Sequence, residues 1–76
     1  MKEFDYNAPA ELFAGHGRSG LRYRRFTKSA EAIRYAIEKL PATALPATSL
    51  EVDDYQYDAA QIRALYDSDR YPLPRR

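Results

Sequence analysis

The sequence predicts a small two-layer α+β domain: a three-stranded sheet with two helices on one face, in the order β-β-α-β-α. Apolar residues recur at helical spacing over 30–40 and again over 59–66, while 21–26 and 50–57 have the composition of strands. The chain has 76 residues, enough for one modest core. We therefore expect a single domain, with residues 70–76 as an extended tail.

The composition favours folding around a small core. Leu, Ile, Val and Phe account for 14 of the 76 residues, a fraction low enough to suggest disorder. Disorder also requires a high net charge, whereas the formal net charge is +1. Seven tyrosines add buriable surface. We expect a folded domain of low stability, for which self-association is one source of further burial.

Several classes of protein are disfavoured by what the sequence lacks. Without cysteine, the chain forms neither a disulfide nor a thiolate metal site. No apolar run approaches the roughly 20 residues that cross a bilayer. The first residues also lack the apolar stretch of a signal peptide. We expect a cytoplasmic protein with no cofactor, no metal and no membrane partner.

The N-terminal third predicts the first two strands. Pro9 interrupts an early alternation of aromatic and polar residues, which leaves 10–14 as either a strand or one helical turn. Residues 15–20 contain three glycines and form a loop. The simplest interpretation is a hairpin that pairs Glu11–Ala14 with Leu21–Phe26.

The first helix follows this hairpin. Ser29 or Thr27 is expected to cap its N-terminus through a side-chain oxygen, and Pro41 to end it. Its predicted buried face has four residues at helical spacing: Ala30, Ile33, Ile37 and Leu40.

The second half repeats the strand–helix order. Residues 50–57 predict the third strand, and a slip in its apolar phase between Val52 and Tyr55 indicates a bulge or the end of the strand. Asp58 and Gln61 have the spacing of a capping box at the start of the second helix. The predicted buried face of that helix is Ala59, Ile62, Leu65 and Tyr66.

A shift of 29 residues aligns the two predicted strand–helix units without a gap. Leu21 then falls on Leu50, and Ile33 on Ile62. The three arginines of the first unit, Arg22, Arg24 and Arg25, fall on Glu51, Asp53 and Asp54. A basic strand and an acidic strand in one small sheet predict cross-strand pairs, each worth about 0.2–1 kcal/mol.

Two local motifs have weak functional meaning. Gly15, Gly17 and Gly20 match a phosphate-binding glycine pattern, but a dinucleotide fold requires a helix after that loop, and here a strand follows. We interpret the motif as a hairpin turn. His16 is the only histidine and has no carboxylate near it in sequence, so we predict neither catalysis nor metal binding there.

The strongest functional signal is a basic stretch between residues 12 and 30, which contains five cations and no acid. Basic and aromatic residues together on a strand can bind phosphates and stack bases. Two tyrosines predicted to be exposed add possible anchors for a protein interface. The candidate binding surface is Arg18, Arg22, Arg24, Arg25, Lys28, Tyr35 and Tyr71.

Side-chain direction decides what the arginines do. Along a strand, Arg22 and Arg24 share one face, and Tyr23 and Arg25 share the other. If Leu21 and Tyr23 face the core, Arg22 and Arg24 point into solvent, and a binding role would depend on them.

Five runs carry a resemblance to a known group of proteins: Phe4–Phe13, Tyr23–Phe26, Ala30–Arg34, Leu50–Asp53 and Ile62–Tyr66. Over nearly the whole chain, they resemble small uncharacterised bacterial proteins of about this length. That group has no assigned activity. The resemblance implies a self-contained bacterial domain and no catalytic residues.

No nucleophile–base pair or metal constellation is evident, so we do not expect an enzyme. The first hypothesis is a non-enzymatic protein-interaction module, with a homodimer as one form, that uses an exposed sheet face or the tail. The alternative is a small nucleic-acid-binding protein that uses the basic strand and loop over 16–28.

Overall fold

The computed structural model describes residues 4–15, 21–41 and 43–74. Its elements are β1 (Ala10–Gly15), β2 (Leu21–Phe26), α1 (Ser29–Arg34), a π-helical turn (Tyr35–Lys39), a 3-10 turn (Leu45–Ala47), β3 (Thr48–Val52), β4 (Tyr55–Tyr57) and α2 (Ala59–Asp67). The four strands form one antiparallel sheet in the order β2-β1-β3-β4. The predicted α+β class is confirmed, and the predicted number of strands is wrong.

The centre of the sheet is β1, which pairs on both sides. Leu12 lies opposite Arg24 of β2 and opposite Leu50 of β3. The predicted first hairpin is confirmed and extends to Ala10, opposite Phe26. Strands β2 and β4 therefore form the two edges.

The missed strand is β4, which arises because a tight turn divides the predicted third strand. Asp53 and Asp54 have positive φ values of 53° and 70°. Positive φ at both central residues is the geometry of a two-residue type I′ hairpin turn, for which Asn-Gly or Asp-Gly is the usual signal. The pair Asp-Asp is not the usual sequence signal of this turn. The slip in apolar phase between Val52 and Tyr55 was the feature of the sequence that indicated it.

The helices cover one face of the sheet, and the core lies between the two layers. Leu12, Leu50 and Val52 of the central strands are buried in one cluster with Ile33 of α1 and Ile62 of α2. No described helix covers the opposite side, which we call the open face. By strand alternation and register it carries Glu11, Phe13, Tyr23, Arg25, Ser49, Glu51 and Gln56.

The start of α1 differs from the prediction. Lys28 occupies the N-cap without a side-chain hydrogen bond. Ser29 is fully buried, and its hydroxyl donates to the backbone carbonyl of Asp5 at 2.8 Å. The backbone N–H groups of Ser29 and Ala30 donate to the carbonyls of Ala8 and Tyr6, at 2.7 and 3.0 Å. The N-terminal segment thus satisfies the free N–H groups that a capping side chain would otherwise satisfy.

The π-helical turn changes the buried face of the first helix. Its closing hydrogen bond runs from the Leu40 N–H to the Tyr35 carbonyl at 3.2 Å, five residues back. The wider turn shifts the helical phase by one residue. Ala36, three residues after Ile33, is buried, whereas Ile37 and Leu40, predicted to be core residues, are only half-buried.

The second helix agrees with the sequence at its start. The backbone N–H of Asp58 donates to the Gln61 side chain at 2.8 Å, and that of Gln61 donates to the Asp58 carboxylate at 2.9 Å. The predicted capping box is therefore confirmed. Ile62 and Tyr66 are buried, while the rest of the predicted face is half-buried. Among the described residues, no helix has the length and hydropathy needed to cross a membrane.

The predicted exposure of Tyr71 is wrong. Its side chain is 7% exposed, and its hydroxyl donates to the Ala30 carbonyl at 2.9 Å. The ring contacts those of Tyr6 and Tyr66, with centroid distances of 5.8 and 5.1 Å. Leu73 also packs against the core. Tyr71 and Leu73, in the segment predicted to be an extended tail, therefore pack with the hydrophobic cluster.

We predict that Asp54→Gly stabilises the protein by about 0.5–1 kcal/mol, because glycine adopts positive φ without the steric conflict of a Cβ. Urea denaturation of both proteins measures the difference. Asp67→Gly, at the end of α2, is the control and should destabilise, since glycine is a poor helix former. A loss of stability in Asp54→Gly would contradict the turn.

We predict that Tyr71→Phe lowers the free energy of unfolding by about 1 kcal/mol, the usual contribution of one hydrogen bond. Burial raises the pKa of Tyr71 from 10.0 to about 12, so its stabilising contribution is complete below pH 10 and disappears as the pH rises through about 12. Denaturation at pH 8 to 12 should therefore show a weaker pH dependence in Tyr71→Phe. Tyr55→Phe, at a side chain that is 70% exposed, is the control and should change little.

Candidate functional site

The predicted pairing of a basic strand with an acidic strand is wrong. Strand β1 lies between β2 and β3, so the arginines of β2 are not adjacent to Glu51. Asp53 and Asp54 lie in the turn after β3 rather than within a strand. The 29-residue alignment overlooked this turn. In the fold, the repeated unit is β-β-α, formed once by 10–34 and again by 48–67.

Two of the candidate arginines, Arg24 and Arg25, lie on opposite sides of the sheet. Arg24 lies in register with buried Leu12, on the helix side of the sheet, where its guanidinium carbon is 4.6 Å from the ring centroid of Tyr35. Arg25 lies in register with Glu11 on the open face. Tyr23 is 52% exposed on that same face, so the condition under which Arg22 and Arg24 would form the solvent pair is not met.

The remaining candidates are also dispersed. Lys28 is exposed in the connection before α1, and Tyr35 is half-buried in the π-helical turn. The backbone of Arg22 lies opposite Ala14. Arg18 and His16 belong to 16–20, outside the described residues, as does most of the glycine motif.

An aromatic row crosses part of the open face. Tyr23 of the edge strand lies opposite Phe13 of β1, and their ring centroids are 5.3 Å apart. Ser49 of β3 lies on the other side of Phe13. The Tyr23 hydroxyl donates to Glu11 Oε2 at 3.1 Å, which holds the phenol across the sheet surface. The exposed Tyr23 ring is therefore held against the half-buried Phe13 ring on this face.

A charged row runs beside the aromatic row. Glu11 lies opposite Arg25 on one side and opposite Glu51 on the other, and Gln56 follows on β4. Like charges directly opposite each other in a sheet are destabilising. Glu51 has an amide rather than a cation as its other neighbour, so the register leaves its charge uncompensated.

The charged row lines a shallow depression of about 200 Å³. Four carboxylates and one guanidinium line it, those of Glu11, Glu51, Asp53, Asp54 and Arg25. These charges give this end of the open face a net charge of −3. The open face is therefore aromatic at one end and acidic at the other.

The local electrostatics keep Tyr23 in its neutral form. The pKa of its phenol is raised, first by partial loss of hydration and then by the hydrogen bond to the Glu11 carboxylate. Arg25 opposes this change, and Glu51 adds to it. Tyr23 therefore stays neutral further into the alkaline range than an isolated tyrosine does.

Sequence reasoning missed Phe13, Glu11 and Glu51. In the sequence, these residues alternate with the buried residues of β1 and β3, which indicates that they share one face of their strand. Which of them are neighbours on the sheet follows only from the strand register. No three His, Asp or Glu side chains in the described part of the chain are placed to hold a metal ion.

No family model, curated protein or solved structure matches the chain.

We predict that Glu51→Gln stabilises the fold by about 0.2–1 kcal/mol, because it removes the repulsion from Glu11 across the central strand pair. Urea denaturation at low salt is the measurement. Glu11→Gln is the matched control, since it removes the same repulsion but also replaces the carboxylate acceptor of Tyr23 with a weaker, neutral amide oxygen and removes the charge opposite Arg25. It should therefore stabilise less or destabilise. Equal gains in both variants would contradict this register.

Proposed function

We propose that this protein is a non-enzymatic interaction module that binds a basic segment of a partner protein on its open face. The observation that carries the proposal is the exposed ring of Tyr23 packed against the half-buried ring of Phe13, beside a surface with excess carboxylates. No residue of this face is needed to bury the core, which lies on the other side of the sheet.

The aromatic end supports a protein interface. Tyr23 combines a large apolar ring with a hydroxyl donor, and tyrosine is enriched among the residues that dominate interface energies. Its contact with Phe13 and its hydrogen bond to Glu11 restrict the ring before binding. A restricted anchor loses less conformational entropy when a partner binds.

The acidic end indicates the chemistry of the partner. Asp53 and Asp54 are exposed, and with Glu11 and Glu51 they outnumber the single cation Arg25. Lysine or arginine side chains of a partner would offset this excess and speed association. A second copy of this chain would bring a net charge of −3 against the same charge. The charge distribution therefore favours a basic partner over a homodimer.

The nucleic-acid alternative has weaker support. Arg24 and Arg25 face opposite sides of the sheet, so they cannot track one phosphate backbone together. On the open face, the carboxylates around Arg25 would repel phosphates. The neighbouring rings of Phe13 and Tyr23 on the open face would allow bases to stack. Binding of RNA to the same protein tests this part of the alternative.

We expect a lysine-rich peptide with alternating leucine or tryptophan to bind the isotope-labelled protein and to shift the amide resonances of Phe13, Tyr23 and Glu51. A peptide with glutamate in place of lysine and a mixed-sequence single-stranded RNA are tested in parallel. Tyr23→Ser should weaken binding of the basic peptide about tenfold or more, as expected for an interface anchor. Tyr55→Ser, which removes an exposed tyrosine from the far edge strand, should leave binding unchanged.

Three outcomes would overturn the proposal. The first is equal binding of the acidic peptide or no binding of the basic one. The second is RNA binding on the open face that falls steeply with salt, which would establish the nucleic-acid alternative. The third is self-association in light scattering that Tyr23→Ser abolishes, which would make the open face a homodimer interface.

A further inference from the structure

A second concave surface lies on the helix side of the sheet, where the edge strand β2 meets the end of the first helix. It is a cleft of about 370 Å³. Its lining residues are Leu12, Ala14, Tyr23, Arg24, Tyr35 and Leu40. Small-molecule pockets span about 300–1,000 Å³ and combine apolar walls with a few polar groups. This cleft has the size and the composition of a small member of that class.

The polar groups of the cleft converge from two elements. Arg24 reaches over the Tyr35 ring, and its guanidinium carbon is also 5.5 Å from the ring centroid of Phe26. Contact with ring faces restricts the guanidinium while leaving its N–H groups available. Those N–H groups donate to no other described residue, and the Tyr35 hydroxyl likewise has no partner among them.

The apolar wall is formed by residues of the core layer. Leu12 and Ala14 lie on β1 and face the helices, and both are nearly inaccessible from the outside of the protein. Leu40 closes the wall from the helix side. A ligand that enters past Arg24 would therefore meet apolar surface below a fixed cation.

The π-helical turn coincides with this cleft. Tyr35 begins the turn, and Leu40 donates the hydrogen bond that closes it. Turns of this kind are rare within helices and are frequent at functional sites. Here Tyr35, the first residue of the turn, and Leu40, the residue directly after it, both line the cleft.

We propose that this cleft binds a small molecule with an apolar body and a single carboxylate head group. Arg24 pairs with the carboxylate, which its planar guanidinium can contact through two parallel N–H groups. The Tyr35 hydroxyl is the second donor. The half-buried Leu40 contacts the apolar body, and the small exposed areas of Leu12 and Ala14 form the floor of the cleft. Tyr23 borders both surfaces, but the head-group residues Arg24 and Tyr35 do not lie on the open face, so the carboxylate site does not depend on the function proposed there.

Two arginines on one strand provide a matched test, because Arg24 faces the cleft and its neighbour Arg25 faces the opposite side of the sheet. The probes are octanoate and 3-phenylpropionate, each with its neutral amide, and inorganic phosphate as an anion without an apolar body. Binding is followed by amide and methyl resonances of the labelled full chain. We expect saturable shifts at Leu12, Ala14 and Leu40 with at least one carboxylate, and much weaker binding of its amide.

The variants then assign the head group. Arg24→Gln should weaken carboxylate binding about tenfold or more, the usual effect of losing a charge-assisted hydrogen bond. Arg25→Gln should change it less than twofold. Tyr35→Phe, which keeps the ring under Arg24, should cause a smaller loss than Arg24→Gln. The amide spectrum of each variant shows whether it is folded.

The proposal is overturned if no carboxylate produces saturable shifts up to the millimolar range in the folded protein. It is also overturned if the neutral amides or phosphate bind as well as the carboxylates, or if Arg24→Gln and Arg25→Gln have equal effects. Loss of peptide binding on the open face with intact carboxylate binding would overturn only the function proposed for that face.

Discussion

The fold depends on tyrosines whose rings fill the core and whose hydroxyls find acceptors inside it. The chain has too few aliphatic residues to close two helices over a four-stranded sheet, so Tyr6, Tyr66 and Tyr71 complete the layer between them. A buried hydroxyl without a partner would be destabilising. Tyr6 donates to the Leu65 carbonyl, Tyr66 to the Glu38 carboxylate and Tyr71 to the Ala30 carbonyl. These hydrogen bonds join the chain termini to both helices, so stability comes from the whole chain rather than from one compact aliphatic centre.

Because all of this burial occurs on one side of the sheet, the two sides acquire different chemistry. The open face presents aromatic rings and carboxylates, whereas the helix side offers a cleft beside the Arg24 cation. Arg24 and Arg25, adjacent in sequence, contribute to different surfaces since successive residues of a strand point in opposite directions. Arg24 and Arg25, the arginines of the basic stretch whose side chains are described, therefore do not form one basic surface.

Several features lower stability without an evident structural benefit. Glu11 and Glu51 lie opposite each other at the centre of the sheet, and two aspartates occupy positive φ where glycine or asparagine would fit better. All four of these carboxylates line the same depression. Proteins commonly retain unfavourable residues where binding requires them. These destabilising carboxylates all lie at one place, which agrees with the negative charge of this surface having a role in binding.

The sequence by itself determined the α+β class, the first hairpin, the position of both helices and the capping box at Asp58, because each depends on contacts within a few residues. It could not determine the sheet order, the burial of Tyr71 or the split between Arg24 and Arg25. These depend on which distant segments pair and in which register. The two-residue turn at Asp53 and Asp54 shows the limit most clearly: its residues are uncommon for that turn, and only pairing of the flanking strands holds them there. Both candidate sites likewise exist only because tertiary pairing brings Phe13 beside Tyr23, and Arg24 beside Tyr35.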